Sequence, residues 1–172
     1  NVRGSIIAED GSVLAYTEVN GTFEKRVYPY GSMFAHVVGY STNGAMGIEE
    51  LANMSLLQSN APVTDKVNND INGVKDTGDT VITTLNPSIQ EVAYRSLSGY
   101  KGAVIVTEVE TGKVLAWVSL PDFDPNYIES EWEDIISDAD SSVLLNRVSQ
   151  GQYPPGSTFK IIDALEYYRE ND

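Results

Sequence analysis

Two short apolar runs, Ser5-Ile-Ile-Ala8 and Val13-Leu-Ala-Tyr16, flank the dipeptide Asp10-Gly11. Asp-Gly tolerates the positive φ angles of a tight turn, so this spacing predicts a β-hairpin. Residues 28–47 carry Pro29 together with Gly31, Gly39, Gly44 and Gly47, a composition that predicts connected turns and short extended pieces. After them Ile48, Leu51, Ala52 and Ser55 recur at helical spacing and predict one amphipathic helix of about three turns. Residues 60–79 are rich in Asn, Asp, Gly, Lys and Thr with few large apolar side chains. That stretch reads as a linker, or as an exposed hairpin between two modules.

A second block begins near Thr80. Val81 and Ile82 lead into Asn86-Pro87, a helix cap followed by a proline at the first helical position. Ile89, Val92, Ala93 and Ser96 then mark a helix face. Residues 103–109 and 114–119 are two apolar runs joined by Glu110-Thr-Gly-Lys113, which predicts a second hairpin. Both runs are apolar at nearly every position, the pattern of strands covered on both faces. Pro121-Asp-Phe-Asp-Pro-Asn126 cannot continue a central strand. The acidic stretch from Glu129 to Asp140 around Trp132 reads as a solvated loop or a surface helix.

Charge narrows the partners. Eleven basic against twenty-five acidic residues give a formal net charge of −14, which repels phosphate backbones, so no nucleic acid is expected as a partner. There are no cysteines, hence no disulfides and no thiolate metal sites. His36 is the single histidine and is expected to be a packed or exposed structural residue rather than a base. Asp134, Asp138 and Asp140 lack the spacing and the glycine of a calcium loop. No metal or cofactor is expected. The first residue is Asn, and no run of about 18 apolar residues occurs, so any anchor is expected to lie in a longer parent.

One segment carries chemistry. Tyr153-Pro-Pro-Gly-Ser-Thr-Phe-Lys160 runs straight into Ile161-Ile-Asp-Ala-Leu-Glu-Tyr-Tyr168, a rigid turn that delivers the chain into a helix starting at about Ser157. Ile161, Ala164, Leu165 and Tyr168 form a helical stripe, and Ser157 and Lys160 fall on its backward extension. Burial on such an apolar face disfavours the ammonium form of a lysine and suits it to take a proton from the serine hydroxyl. Serine needs a base of this kind to become a nucleophile. Taken alone, the four residues favour an N-cap serine and a snorkelling surface lysine, since Ser-x-x-Lys matches occur by chance in many proteins.

The wider context decides between them. Tyr153 to Lys160, preceded by Asn146-Arg147, resembles the segment that introduces the active-site serine of class B penicillin-binding proteins. Residues 102–126 resemble the first two sheet strands of that family and the turn after them, and Leu85 to Gln90 its first transpeptidase-domain helix. Upstream, three short stretches containing Arg3, Arg26 and Glu49 resemble the motifs of its non-catalytic module, closest to the penicillin-binding protein A branch.

The resemblance implies an α+β fold: a small non-catalytic module of the pedestal or dimerisation kind over residues 1–78, then the incomplete start of a transpeptidase domain, related to serine β-lactamases, over 79–172. It implies Ser157 as acylated nucleophile and Lys160 as general base, peptidoglycan stem peptides ending in D-Ala-D-Ala as donor, and β-lactam antibiotics as mimics. It places the parent at the outer face of the cytoplasmic membrane, held by a transmembrane helix, and makes Arg3, Arg26 and Glu49 a structural charge cluster.

The family also needs Ser-x-Asn and Lys-Thr-Gly after the nucleophile. Twelve residues follow Lys160 here, and neither motif is among them. Ser41-Thr-Asn43 matches by letters but precedes the nucleophile. The chain by itself is therefore expected to be inactive and to self-associate through the 103–119 hairpin or the last helix. Alternative readings are a docking module for division or elongation proteins, and a β-lactam sensor domain.

Overall fold

The computed structural model describes residues 1–171. Strands β1 (Ile6–Ile7) and β2 (Val13–Asn20) form the expected hairpin. Its turn is locked by Asp10, whose Oδ1 accepts the Ser12 N–H at 2.9 Å, and by Gly11 at a φ of 86°. Strand β3 (Phe23–Val27) pairs antiparallel with β2, and β4 (Val81–Ile82) pairs parallel with β1, giving a four-stranded mixed sheet in the order β3-β2-β1-β4. The sheet thus takes a strand from either side of the 78/79 position. Its inner face supplies Ile6, Leu14 and Ala15 to a core completed by Tyr28, Phe34, Val38, Leu56 and Leu85.

The turns expected over 28–47 contain more helix than their glycines suggest: a 3-10 turn at Gly31–Phe34 runs into helix α1 (Ala35–Val38). Gly39 ends it at a φ of 82°, where a Cβ would lie 1.8 Å from the Met46 carbonyl oxygen; only glycine allows this crossing. The single helix expected after Gly47 is two, α2 (Gly47–Leu51) and α3 (Asn53–Leu57), which break at Ala52. Its buried positions also differ from the expected stripe. Glu49 and Leu56 are wholly enclosed, whereas Leu51 is 88% exposed.

The stretch 60–79 is neither linker nor hairpin, since helix α4 (Val63–Ile71) occupies half of it. Three apolar residues at four-residue spacing, Val63, Val67 and Ile71, lie on that helix and remain exposed. They are too few to stand out among the Asn and Asp around them.

In the second block α5 (Pro87–Leu97) starts as expected. The Asn86 Oδ1 accepts the N–H groups of Ser88 and Ile89, both at 3.1 Å. It buries Gln90 and Ala93, with Ile89 and Leu97 half-buried beside them, while Val92 and Ser96 face solvent. Strands β5 (Gly102–Thr107) and β6 (Val114–Leu120) form an antiparallel pair. Ala93 packs with Ala116, Val118 and Leu120 of β6. Ser119, on the other face, is buried beneath Leu145. Cover on both faces therefore holds for β6; in β5 Ile105 stays 48% exposed. The acidic stretch is a surface helix, α6 (Ile128–Ser137), anchored by Ile128 and Trp132 against Tyr40 and Phe123. A 3-10 turn, Gly156–Phe159, then leads into α7 (Lys160–Asn171).

Candidate active site and the framework behind it

Ser157 is the second residue of the 3-10 turn, and Lys160 opens α7 one turn later. The local geometry comes from Gly156, at a φ of 55°, and from Pro155, whose carbonyl accepts both the Thr158 N–H at 3.2 Å and the Thr158 hydroxyl at 2.6 Å. The helix start predicted at Ser157 is therefore present as a 3-10 turn. The apolar enclosure expected around Lys160 is not. Every described residue from Gln152 onward is exposed, and Ile161 and Leu165, at 65% and 63%, cover nothing. Desolvation of Lys160 requires protein atoms over this face, and among the described residues those of α7 are exposed along its whole length.

Behind the turn the chain is tightly held. Asn146 and Arg147, singled out by the sequence, are buried. Asn146 Nδ2 donates to the His36 carbonyl at 3.0 Å, and its Oδ1 accepts the Trp117 indole N–H at 3.0 Å. Arg147 N–H donates to Ser119 Oγ at 3.0 Å, and its guanidinium holds Ser142 through both the carbonyl and the hydroxyl. His36 is packed, as expected. Its Nε2 lies 2.8 Å from the Val143 carbonyl, its ring meets Phe123 edge-on, and burial pushes its pKa down to about 4.

The three charged residues of the first module meet as the resemblance implied. Glu49, with no solvent exposure, receives Arg3 Nε on one carboxylate oxygen at 2.6 Å and Arg26 Nε on the other at 2.7 Å. The Tyr28 hydroxyl adds a third donor at 3.2 Å. Burial, with the Glu49 charge beside it, pushes the Tyr28 pKa up to about 12. Arg26 Nη1 also donates to the Gly4 carbonyl at 2.7 Å, and Arg3 Nη1 to Asn53 Oδ1 at 2.6 Å. The cluster therefore ties the segment before β1, strand β3 and the α2–α3 pair together. Ser41 and Asn43 sit in a turn remote in sequence from Ser157, with Asn43 at a φ of 48°.

Sequence reasoning gave no clamping role to three neutral amides that join the second block to residues 28–36. Asn126 exchanges two hydrogen bonds with the Tyr28 backbone, both at 2.9 Å. Gln90 donates to the Met33 carbonyl at 2.7 Å, and Asn146 to that of His36. A further pair, the Tyr94 hydroxyl on Asp122 at 2.7 Å, has both groups pushed up in pKa, chiefly by burial.

Comparison with known proteins agrees with this architecture. Residues 3–81 match the penicillin binding protein A dimerisation domain, and residues 102–171 match the penicillin binding protein transpeptidase domain. The peptidoglycan D,D-transpeptidase PbpA of Mycolicibacterium smegmatis is 35% identical over 178 residues, an alignment that takes in 93% of this chain and 36% of that protein. MrdA, the peptidoglycan D,D-transpeptidase of Escherichia coli K12, is 35% identical, with 83% and 28% covered. The structure of penicillin-binding protein A from Mycobacterium tuberculosis, a penicillin G acyl-enzyme complex, superposes with a TM-score of 0.86 at 32% identity, covering 100% of this chain and 43% of that one. The chain thus spans about a third of the length of the curated relatives it matches. With a dimerisation domain followed in order by transpeptidase-domain sequence, this chain belongs to the penicillin-binding proteins, of the penicillin-binding protein A type.

Proposed function

We propose that the chain is part of a serine-type peptidoglycan D,D-transpeptidase, with Ser157 as the residue acylated by the stem peptide and Lys160 as its base. The observation that carries this is the position of the pair: Ser157 and Lys160 stand one turn apart at the head of a helix, within the stretch that matches the transpeptidase domain. The substrates are stem peptides ending in D-Ala-D-Ala, cross-linked through an acyl-serine, and β-lactams acylate the same oxygen. Residues 1–78 act as the non-catalytic module and 79–172 as the start of the catalytic one, with β4 as the strap between them. The first module, closed by its buried ion cluster, also serves as the docking unit toward division or elongation proteins. Both face the cell wall from the outer side of the cytoplasmic membrane, on a parent anchored by an amino-terminal transmembrane helix; among the described residues no helix is long and apolar enough to cross a membrane.

The 172 residues alone are inactive in this reading. They contain neither a Ser-x-Asn nor a Lys-Thr-Gly motif after Lys160, and Lys160 itself stands in solvent. Labelling with a fluorescent penicillin tests both parts. The protein carrying its complete transpeptidase domain should be acylated, with the label mapped by peptide mass spectrometry to Ser157 and lost in Ser157→Ala. The 172-residue chain should stay unlabelled. Label on another residue, or undiminished labelling of Ser157→Ala, would sink the assignment.

A further inference from the structure

We propose that Asn146 is a positioning residue for Ser157, fixing the nucleophile's turn to the non-catalytic module; this rests on the reading of Ser157 as the acylated residue. The side-chain amide of Asn146 sits where three parts of the molecule meet. Its Nδ2 holds α1 of the first module through the His36 carbonyl at 3.0 Å. Its Oδ1 holds β6 through the Trp117 indole N–H at 3.0 Å and turns its own chain by accepting the Val148 N–H at 3.3 Å. The backbone of Asn146 continues the turn. Its carbonyl accepts the N–H groups of Ser149 and Gln150, and its N–H donates to Gln150 Oε1 at 3.0 Å.

From that turn to the nucleophile the chain has little freedom. Gly151 lies so close to Arg147 and Tyr153 that a Cβ would come within 2.4 Å of both the Arg147 carbonyl oxygen and the Tyr153 ring. Tyr153 is followed by two prolines with restricted φ, and Pro155 then opens the 3-10 turn that contains Ser157. A displacement at Asn146 is therefore passed along a stiff segment instead of being absorbed by a flexible one. Burial makes the joint costly to leave half made: Asn146 is 9% exposed, and removing its amide strands the His36 carbonyl and the Trp117 indole N–H. Because one of its partners belongs to the first module, the placement of Ser157 depends on that module's α1 as well as on the transpeptidase sheet.

The test uses the protein with its complete transpeptidase domain and follows acylation by a fluorescent penicillin in rapid-mixing experiments. A Ser157→Ala control comes first: its failure to label keeps the nucleophile reading, and labelling at the wild-type level defeats that reading independently of Asn146. Asn146→Ala should then still bind one label per folded molecule, with an acylation rate constant lowered at least about tenfold, the scale expected for a misplaced reacting group. A purely structural role would lower the labelled fraction and leave the rate constant of the folded fraction unchanged, and that result overturns the proposal. Trp117→Phe removes the indole N–H while keeping an aromatic ring at the position, and serves where Asn146→Ala fails to fold. It should slow acylation about threefold, on the order expected for one lost hydrogen bond. A wild-type rate constant in folded Trp117→Phe likewise overturns the proposal.

Discussion

Gln90 supplies Trp117 with both hydrogen bonds that a neighbouring strand would supply. Its Oε1 accepts the Trp117 N–H at 2.8 Å, and its Nε2 donates to the Trp117 carbonyl at 2.9 Å while also reaching Met33. Thr84 and Asn86 treat Val114 and Leu115 alike, the threonine hydroxyl donating at 2.6 Å and the Asn86 N–H at 2.8 Å. One edge of β6 is thereby closed by the segment that starts α5. Gln90→Ala should strand three part-buried backbone groups and open a cavity, lowering stability by about 3 kcal/mol. Urea unfolding of the 172-residue chain measures this; a loss below about 1 kcal/mol would show that water replaces the amide.

Glu49 is one carboxylate between two guanidinium groups, entirely out of solvent. Neutralising it leaves Arg3 and Arg26 facing each other with a single neutral acceptor. Glu49→Gln should cost about 3 kcal/mol, the scale for breaking a buried ion pair from one side. Replacing all three residues by apolar side chains of similar volume should recover part of that loss. Chemical denaturation of both variants checks the pair of expectations, and a neutral Glu49→Gln contradicts the first.

Local signals were legible in the sequence because their partners are near. Asp10-Gly11 and Asn86-Pro87 act on N–H groups two or three residues away, and both formed as read. The charge cluster was legible through family likeness, since spacing alone does not bring Arg3 to Glu49. What the amides hold was not legible. Asn126 and Asn146 meet backbone groups 98 and 110 residues away, and an isolated Asn or Gln carries no mark that separates a clamp from a surface residue. Lys160 failed in the opposite direction. The stripe of Ile161, Leu165 and Tyr168 has the period of a buried face, but periodicity does not supply what buries it.

His36 gives the fold a pH dependence of known sign. Its pKa falls from the ordinary 6.5 to about 4 on folding, chiefly by burial, with the Arg147 charge acting in the same direction. The unfolded chain therefore binds the extra proton between these values. Stability contributed by neutral His36 is present in full above pH 6.5 and is lost as the pH falls toward 4, by up to roughly 3 kcal/mol. His36→Gln keeps a donor for Val143 and does not titrate. Between pH 6.5 and 4 its stability should decline less steeply than that of the wild type in urea titrations; parallel curves would contradict the assignment.

Helix α7 is twelve residues long, too short to be stable in water without a packing surface. It nevertheless presents Ile161, Ile162, Leu165 and Tyr168, each more than half exposed, and Ile105 and Val109 on the β5 side of the second hairpin are also open. Apolar area of this kind is removed from water most readily by a second copy of the chain. The net charge of −14 opposes that contact, so association should strengthen as salt screens the repulsion. Size-exclusion chromatography of the 172-residue chain should show earlier elution with rising protein concentration and with rising salt. Ile161→Lys combined with Leu165→Lys should restore the monomer if α7 carries the contact, and leave the dimer if the hairpin does. A single monomeric peak at every concentration and salt level would show that α7 does not pair, because burial of its apolar face then gains less than ordering the helix and bringing two like-charged copies together cost.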